Sequence, residues 1–419
     1  MVRVSPVPDR EIPDHHGSHA DLLWSPSEPA SPQRGIDAII VPTIRPPVYL
    51  TEAAGLARVL NCVLVTLHSG KWTTAADAAQ RLSDDADLIA IDVPETARLS
   101  LPPWETSRLL AGTVFARRTD LSAKRNLALK LSHMLGWSRI LFLDDDITAL
   151  DPNDVWNASG LLDTHNAVGL KVGGFPDNSV VCHAYRQAGG KQQSFIGGGA
   201  LAVEVKRCNS FFPDIYNDDW FFLLDGDKWL QPTAVAGQVI QAPYDPFRNP
   251  HRARAEELGD VLAEGIYWLL DQDQSVIDAD EAYWTEFLIR RRRFIEGVLD
   301  MVKRDKTLKP DDQRRRIDAL KGALGRLALI TPTLCERYLR AWADDRRQWL
   351  RHVELLPTRQ QLPRALAALS RKGYPSLTWH LVGGVERSAV RWGPKTCLPS
   401  DRQLKVAARV GSEPVEEHI

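Results

Sequence analysis

The chain has 419 residues, enough for two or three domains, and its 44% hydrophobic and 25% charged content is that of an ordinary globular protein. Lys+Arg (52) and Asp+Glu (54) nearly cancel, which leaves no global field to recruit nucleic acid or an anionic membrane. Five scattered cysteines without CxxC spacing argue against a disulfide framework or a cysteine zinc site. No apolar run reaches the ~18 residues of a transmembrane helix, and the first residues lack the apolar stretch of a signal peptide, so a soluble, cytoplasmic protein without a membrane span is expected.

Residues 1–34 contain six prolines and little periodicity, the composition of a flexible leader. His15, His16 and His19 within it could bind a metal, but in such a segment they read as part of a mobile tail. Folded sequence begins at 36–47, IDAIIVPTIRPP, an apolar strand that Pro42 is expected to end. Residues 52–60 then place Ala53, Leu56, Ala57 and Leu60 on one helical face. A strand at 61–67, a helix at 74–82 and a third strand at 87–93 follow. The span 119–136 predicts a helix capped by Asp120 or Ser122 and stopped by Gly136. Strands alternating with helices at this spacing predict a mostly parallel, doubly wound α/β sheet.

The fourth strand, 139–148, reads RILFLDDDIT. A buried strand ends in the crevice where such sheets bind ligands, so Asp144, Asp145 and Asp146 should sit there. Adjacent carboxylates repel and call for a cation, and a hard divalent ion is the usual one. Alternation along an extended chain lets Asp144 and Asp146 reach one ion while Asp145 points elsewhere. Beyond Asp146 the pattern loosens. Residues 161–190 read as a strand plus loops, and 193–205, QSFIGGGALAVEV, as a loop entering a strand. The run Gly197, Gly198, Gly199 permits close approach of backbone to a ligand. Asn217 is a good N-cap for a helix carrying Asp218 and Asp219 in its first turn. From about 276 the chain is helical and charged, and the last twenty or so residues look like a tail. The expected organisation is therefore a leader (1–34), a catalytic domain (35–275), a helical C-terminal region (276–395) and a flexible tail (396–419).

Taken in order, VPTIRPP, AKRNLAL, the DxD pair Asp144/Asp146, IGGGALAVEV and the acidic pair Asp218–Asp219 resemble the nucleotide-sugar-dependent glycosyltransferases of the GT-A fold, especially the family-two enzymes. The resemblance covers residues 36 to about 230, and more loosely to about 300. It implies a GT-A type Rossmann-like sheet flanked by helices, a nucleoside-diphosphate sugar donor, a hydroxyl acceptor, and Mn²⁺ or Mg²⁺ as cofactor. It further implies that Asp146, with Asp144, holds the metal, and that Thr43, Arg45, Asp92, Lys124, Arg125, Asn126, Asp144 and Asp145 line the donor. Gly197, Gly198, Gly199 and Trp220 would face the acceptor. Asp219, assisted by Asp218, would be the base.

This chain departs from the family's pattern in having Asp-Asp where Glu-Asp is usual, and in offering only a poor imitation of a later Gln-x-x-Arg-Trp at Arg290, Arg293 and Phe294, which reads better as a basic helix face. In retaining relatives a downstream His completes the metal shell, and His251 in a Pro-bounded loop is the candidate; inversion and retention stay open. Trp220, Trp229 and Trp268 could stack on sugar rings. The C-terminal helices would shape the acceptor side or form a homo-oligomer contact. A different enzyme class also fits LFLDDDIT, the haloacid-dehalogenase-like phosphatases, with Asp144 as nucleophile and Asp146 as acid. That signature normally lies on a first strand, whereas three strand–helix units precede it here.

Overall fold

The computed structural model describes residues 12, 14–26, 35–193, 195–226 and 229–385. Eleven strands are formed: β1 (Ala38–Thr43), β2 (Val63–His68), β3 (Leu88–Asp92), β4 (Arg139–Leu143), β5 (Ile147–Thr148), β6 (Ala167–Gly173), β7 (Ala200–Glu204), β8 (Leu224–Asp225), β9 (Trp229–Leu230), β10 (Thr233–Gln241) and β11 (Trp379–Val382). Nine of them build one sheet in the order β11-β3-β2-β1-β4-β7-β6-β10-β5, and β8 and β9 pair separately. β1, β2, β3, β4, β6 and β10 run in one direction, while β7, β5 and β11 run against it. The fold is thus α/β with a large, mostly parallel central sheet.

The strands form because their apolar side chains alternate between two cores. In β1, Ala38 and Ile40 enter one core and Ile39 and Val41 the other; in β4, Ile140 and Phe142 oppose Leu141 and Leu143 in the same way. α1 (Thr51–Leu60), α2 (Ala75–Arg81) and α5 (Pro152–Leu161) cover the smaller core. α4 (Leu121–Leu135), α6 (Val180–Gln187) and the long helices α8 (His251–Asp271), α9 (Glu281–Arg304), α10 (Pro310–Leu327) and α11 (Pro332–Glu354) cover the larger one. α3 (Glu105–Leu110), α7 (Asp218–Phe222) and α12 (Leu362–Ala367) are short. Among the described residues, no helix is long and apolar enough to cross a membrane.

Local chemistry fixes the ends of these elements. Thr74 caps α2 by accepting the Asp77 N–H (3.1 Å), and Gly136 ends α4 at φ 77°, a left-handed conformation that glycine adopts without a side-chain clash. Pro42 does not end β1, which continues through Thr43. Asn217 does not cap α7 with its side chain: it adopts φ 61° and donates Nδ2 to Asp260 Oδ1 (3.1 Å).

Two parts of the chain differ from what composition suggested. Within the Pro-rich span 1–34, residues 14–26 are packed: His15 stacks on Phe294 at 3.8 Å, His19 is buried, and Trp24 bridges Ala234 at the edge of β10. The helical region is not a separate body, because α9, α10 and α11 share the larger core with the sheet. It also contributes β11, which pairs with β3. Asp345 of α11 accepts the Glu105 (2.5 Å) and Thr106 (2.9 Å) N–H groups, capping α3 from far along the chain. The tail at 396–419 lies outside the described residues.

Candidate active site

β1 and β4 are neighbours, and their carboxyl ends deliver Thr43–Arg45 and Asp144–Asp146 to the same edge of the sheet. Thr43 Oγ1 donates to Asp145 Oδ2 (2.5 Å). Arg45 spans Asp145 (3.0 Å) and Asp146 (3.2 Å), and Gln241 at the end of β10 donates to Asp146 (3.3 Å). Asp144 turns to Arg125 (3.2 Å), whose other nitrogen pairs with Asp218 (2.9 Å). Burial raises the Asp144 carboxyl above its usual range, and burial pushes Asp145 up to about 6 despite Arg45.

The glycine run closes over these charges. A Cβ on Gly197 would lie 2.9 Å from Asp219 Oδ2, on Gly198 2.6 Å from Arg125 Cζ, and on Gly199 2.9 Å from Asp144 Oδ2. Any side chain at these positions would push out a functional group, so the backbone approaches the protein's own carboxylates and guanidinium rather than only a ligand space. Asp219 is aimed by two backbone donors, Gly198 N–H (2.6 Å) and Trp220 N–H (2.9 Å). Burial and then the adjacent Asp218 carboxylate push Asp219 up to about 6. Asp218 has a different role: buried, it is held by Arg125 and by Ser122 Oγ (2.8 Å).

A cavity of about 330 Å³ opens between these residues, within the size range of small-molecule sites. Arg45, Arg125, Asp144, Asp146, Gly197, Gly199, Asp218, Asp219 and Trp220 line it. The opposite wall, which sequence reasoning missed, contains Phe175, Asp177, Tyr244, Arg252, Asp260 and Glu264. Burial pushes Asp177 up to about 7, whereas Glu264, although burial opposes it, is drawn down to about 2 by His19. Among the described residues, seven carboxylates face four arginines around the cavity, a formal surplus of three negative charges. The missed signal was the run AEELGDVLAEG on α8, where acidic residues recur at helical spacing inside a helix that is buried on most sides.

Several candidate residues sit elsewhere. Asn126 spends its side chain on the backbone of Phe212, accepting its N–H (2.9 Å) and donating to its carbonyl (2.8 Å). Lys124 is buried beneath the turns, bonded to Thr43 O (3.0 Å) and Ser69 Oγ (2.6 Å). Asp92 accepts the Ala75 N–H (2.7 Å) at the start of α2. These three brace the site from outside the cavity wall. His251 opens α8 as an exposed residue, not as a loop residue, and the cavity wall near it is formed by Arg252 instead. Trp229 is exposed on β9, and Trp268 lies against His16 and under Arg290. In the basic run 290–293, Arg291 is no surface residue: it is buried against Glu257 (3.0 Å) and Asp260 (3.0 Å). No protein-family model matches the chain, and no curated protein is significantly similar to it in sequence.

Proposed function

We propose that the protein is a metal-dependent glycosyltransferase of GT-A type that moves a sugar from a nucleoside diphosphate to an acceptor hydroxyl. The observation that carries this reading is the glycine run, which brings Asp219, Arg125 and Asp144 together at one cavity. The strand order β3-β2-β1-β4-β7-β6-β10, with β7 alone antiparallel among these, supports the GT-A assignment. Asp144 and Asp146 offer only carboxylate oxygen, a hard donor set that suits Mg²⁺ or Mn²⁺, and both face a cavity with surplus negative charge. Such an ion, when bound, offsets the charge that builds on the departing diphosphate.

The chain's own residues divide the remaining work. Arg45, on a partly exposed turn, offers its guanidinium to phosphate at the donor end. Trp220 supplies an apolar face beside the acceptor. Asp219, fixed by two N–H donors, takes the proton of the acceptor hydroxyl as its oxygen bonds to the anomeric carbon, while the bond from that carbon to the diphosphate oxygen breaks and its electron pair leaves with the diphosphate. Asp219 as base makes the transfer inverting, which the product's anomeric configuration would report. The phosphatase alternative is less well supported, since Asp144 follows β4, the fourth strand in the chain, rather than a first strand.

A thermal-shift panel of UDP, GDP, ADP and CMP, with and without Mn²⁺, tests the reading. Ligand at about 100 times its Kd adds about 2.7 kcal/mol, several degrees for a chain of this size. A metal-dependent shift with one nucleotide, lost in Asp146→Ala, is expected. A shift only with Mg²⁺ and a phosphate mimic would overturn it.

A further inference from the structure

We infer that residues 16–19 and the end of α8 form a second metal site, distinct from the aspartates of β4, for a first-row transition ion of the Zn²⁺ type. Nitrogens of His16 and His19 and an oxygen of Asp271 all lie within 4.8 Å of one another. Both imidazoles address the same atom: His16 Nε2 stands 3.0 Å from Asp271 Oδ2, and His19 Nδ1 contacts that oxygen too. Asp271 is the last residue of α8, where the negative end of the helix dipole favours positive charge, supplied either by a protonated His19 or by an ion that takes the place of its proton. Two imidazole nitrogens and one carboxylate oxygen are a borderline donor set that suits Zn²⁺ or Co²⁺ better than Mg²⁺ or Ca²⁺. The other nitrogen of His19 faces Glu264 Oε2 at 3.6 Å, an ion-pair separation just beyond hydrogen-bond length, on the side where a carboxylate commonly orients a metal-bound histidine. His16 is 38% exposed in its side chain, which gives the ion a path in and solvent as a further ligand.

The position gives the site a consequence beyond fastening residues 14–26 to α8. His19 packs edge-on against Phe195 and Trp220, at 6.2 and 5.4 Å between ring centroids, and both aromatics line the cavity, as does Glu264. An ion held by His16, His19 and Asp271 therefore braces the cavity wall next to Asp219.

The test uses the untagged full chain, stripped with chelator and titrated with Co²⁺, whose visible d–d absorption reports nitrogen and oxygen ligation. Asp146→Ala should bind one equivalent with a visible band, wild type should show that same band whatever further Co²⁺ the β4 aspartates take up, and Zn²⁺ should displace it. His16→Gln, at a partly exposed position where the fold survives, and Asp271→Asn should each weaken binding by more than about tenfold. Absence of a visible band in Asp146→Ala, or an undiminished band in both His16→Gln and Asp271→Asn, would overturn the inference.

Discussion

On the cavity wall built from β1 and β4, Asp144, Asp145 and Asp146 are held by Thr43, Arg45 and Arg125, which lie at the ends of neighbouring strand–helix units. On the wall built from α7 and α8, Asp260 and Glu264 are held by Arg291 and His19, from a C-terminal helix and from the N-terminal segment. The first wall keeps its charges with partners that the sheet topology supplies. The second depends on partners from segments distant in the chain. Within the first wall there is a further contrast: Arg125 is buried, whereas Arg45 is 36% exposed in its side chain.

That contrast can be broken by substitution. Arg125→Met leaves Asp218 buried without its partner and should cost about 3–5 kcal/mol in urea unfolding. If Asp219 is the proposed base, Asp219→Asn should lower kcat by about 10²–10⁴-fold, with a loss of stability of about 1–3 kcal/mol because the amide oxygen can accept from only one of the Gly198 and Trp220 N–H groups. Asn126→Ala, which orphans the backbone of buried Phe212, should cost about 1–3 kcal/mol without altering nucleotide affinity. The pH profile sharpens the role proposed for Asp219: a base works deprotonated, so under that reading kcat/KM should fall about tenfold per unit as pH drops below about 6 and be flat above it. Asp219→Asn should remove that limb. The smallest effect is expected for Arg45→Ala, less than about 1 kcal/mol in stability, with any loss appearing in donor KM.

The first half of the sheet was legible because its strands are continuous apolar runs whose alternate residues enter opposite cores, and because Gly136 and Thr74 mark helix ends with ordinary chemistry. β10 was not, since TAVAGQVIQ is broken by glycine and glutamine and its register shifts between Val235 and Gln238. α6 was hidden behind a loop rich in glycine and proline. In the candidate site, the residue types after β4 and in the glycine run pointed to one cleft, but the run AKRN cannot reveal that Arg125 faces the cavity while Asn126 clamps Phe212. The partners of His16 and His19 were equally invisible, because Asp271 and Glu264 are brought near only by the fold.

β11 closes one edge of the sheet with a segment from near the end of the described chain: Ile91 of β3 is paired with Trp379. During synthesis, β1 to β3 emerge long before their neighbour exists. Until residue 379 leaves the ribosome, β3 presents unpaired N–H and C=O groups to any other extended chain, the circumstance in which edge-to-edge aggregation begins. A pairing so distant in sequence also closes a large loop, which slows folding. Yield in a heterologous host should therefore respond to chaperone supply and growth temperature more than to changes around the cavity, and truncation ahead of β11 should give an aggregating chain even with the cavity residues intact.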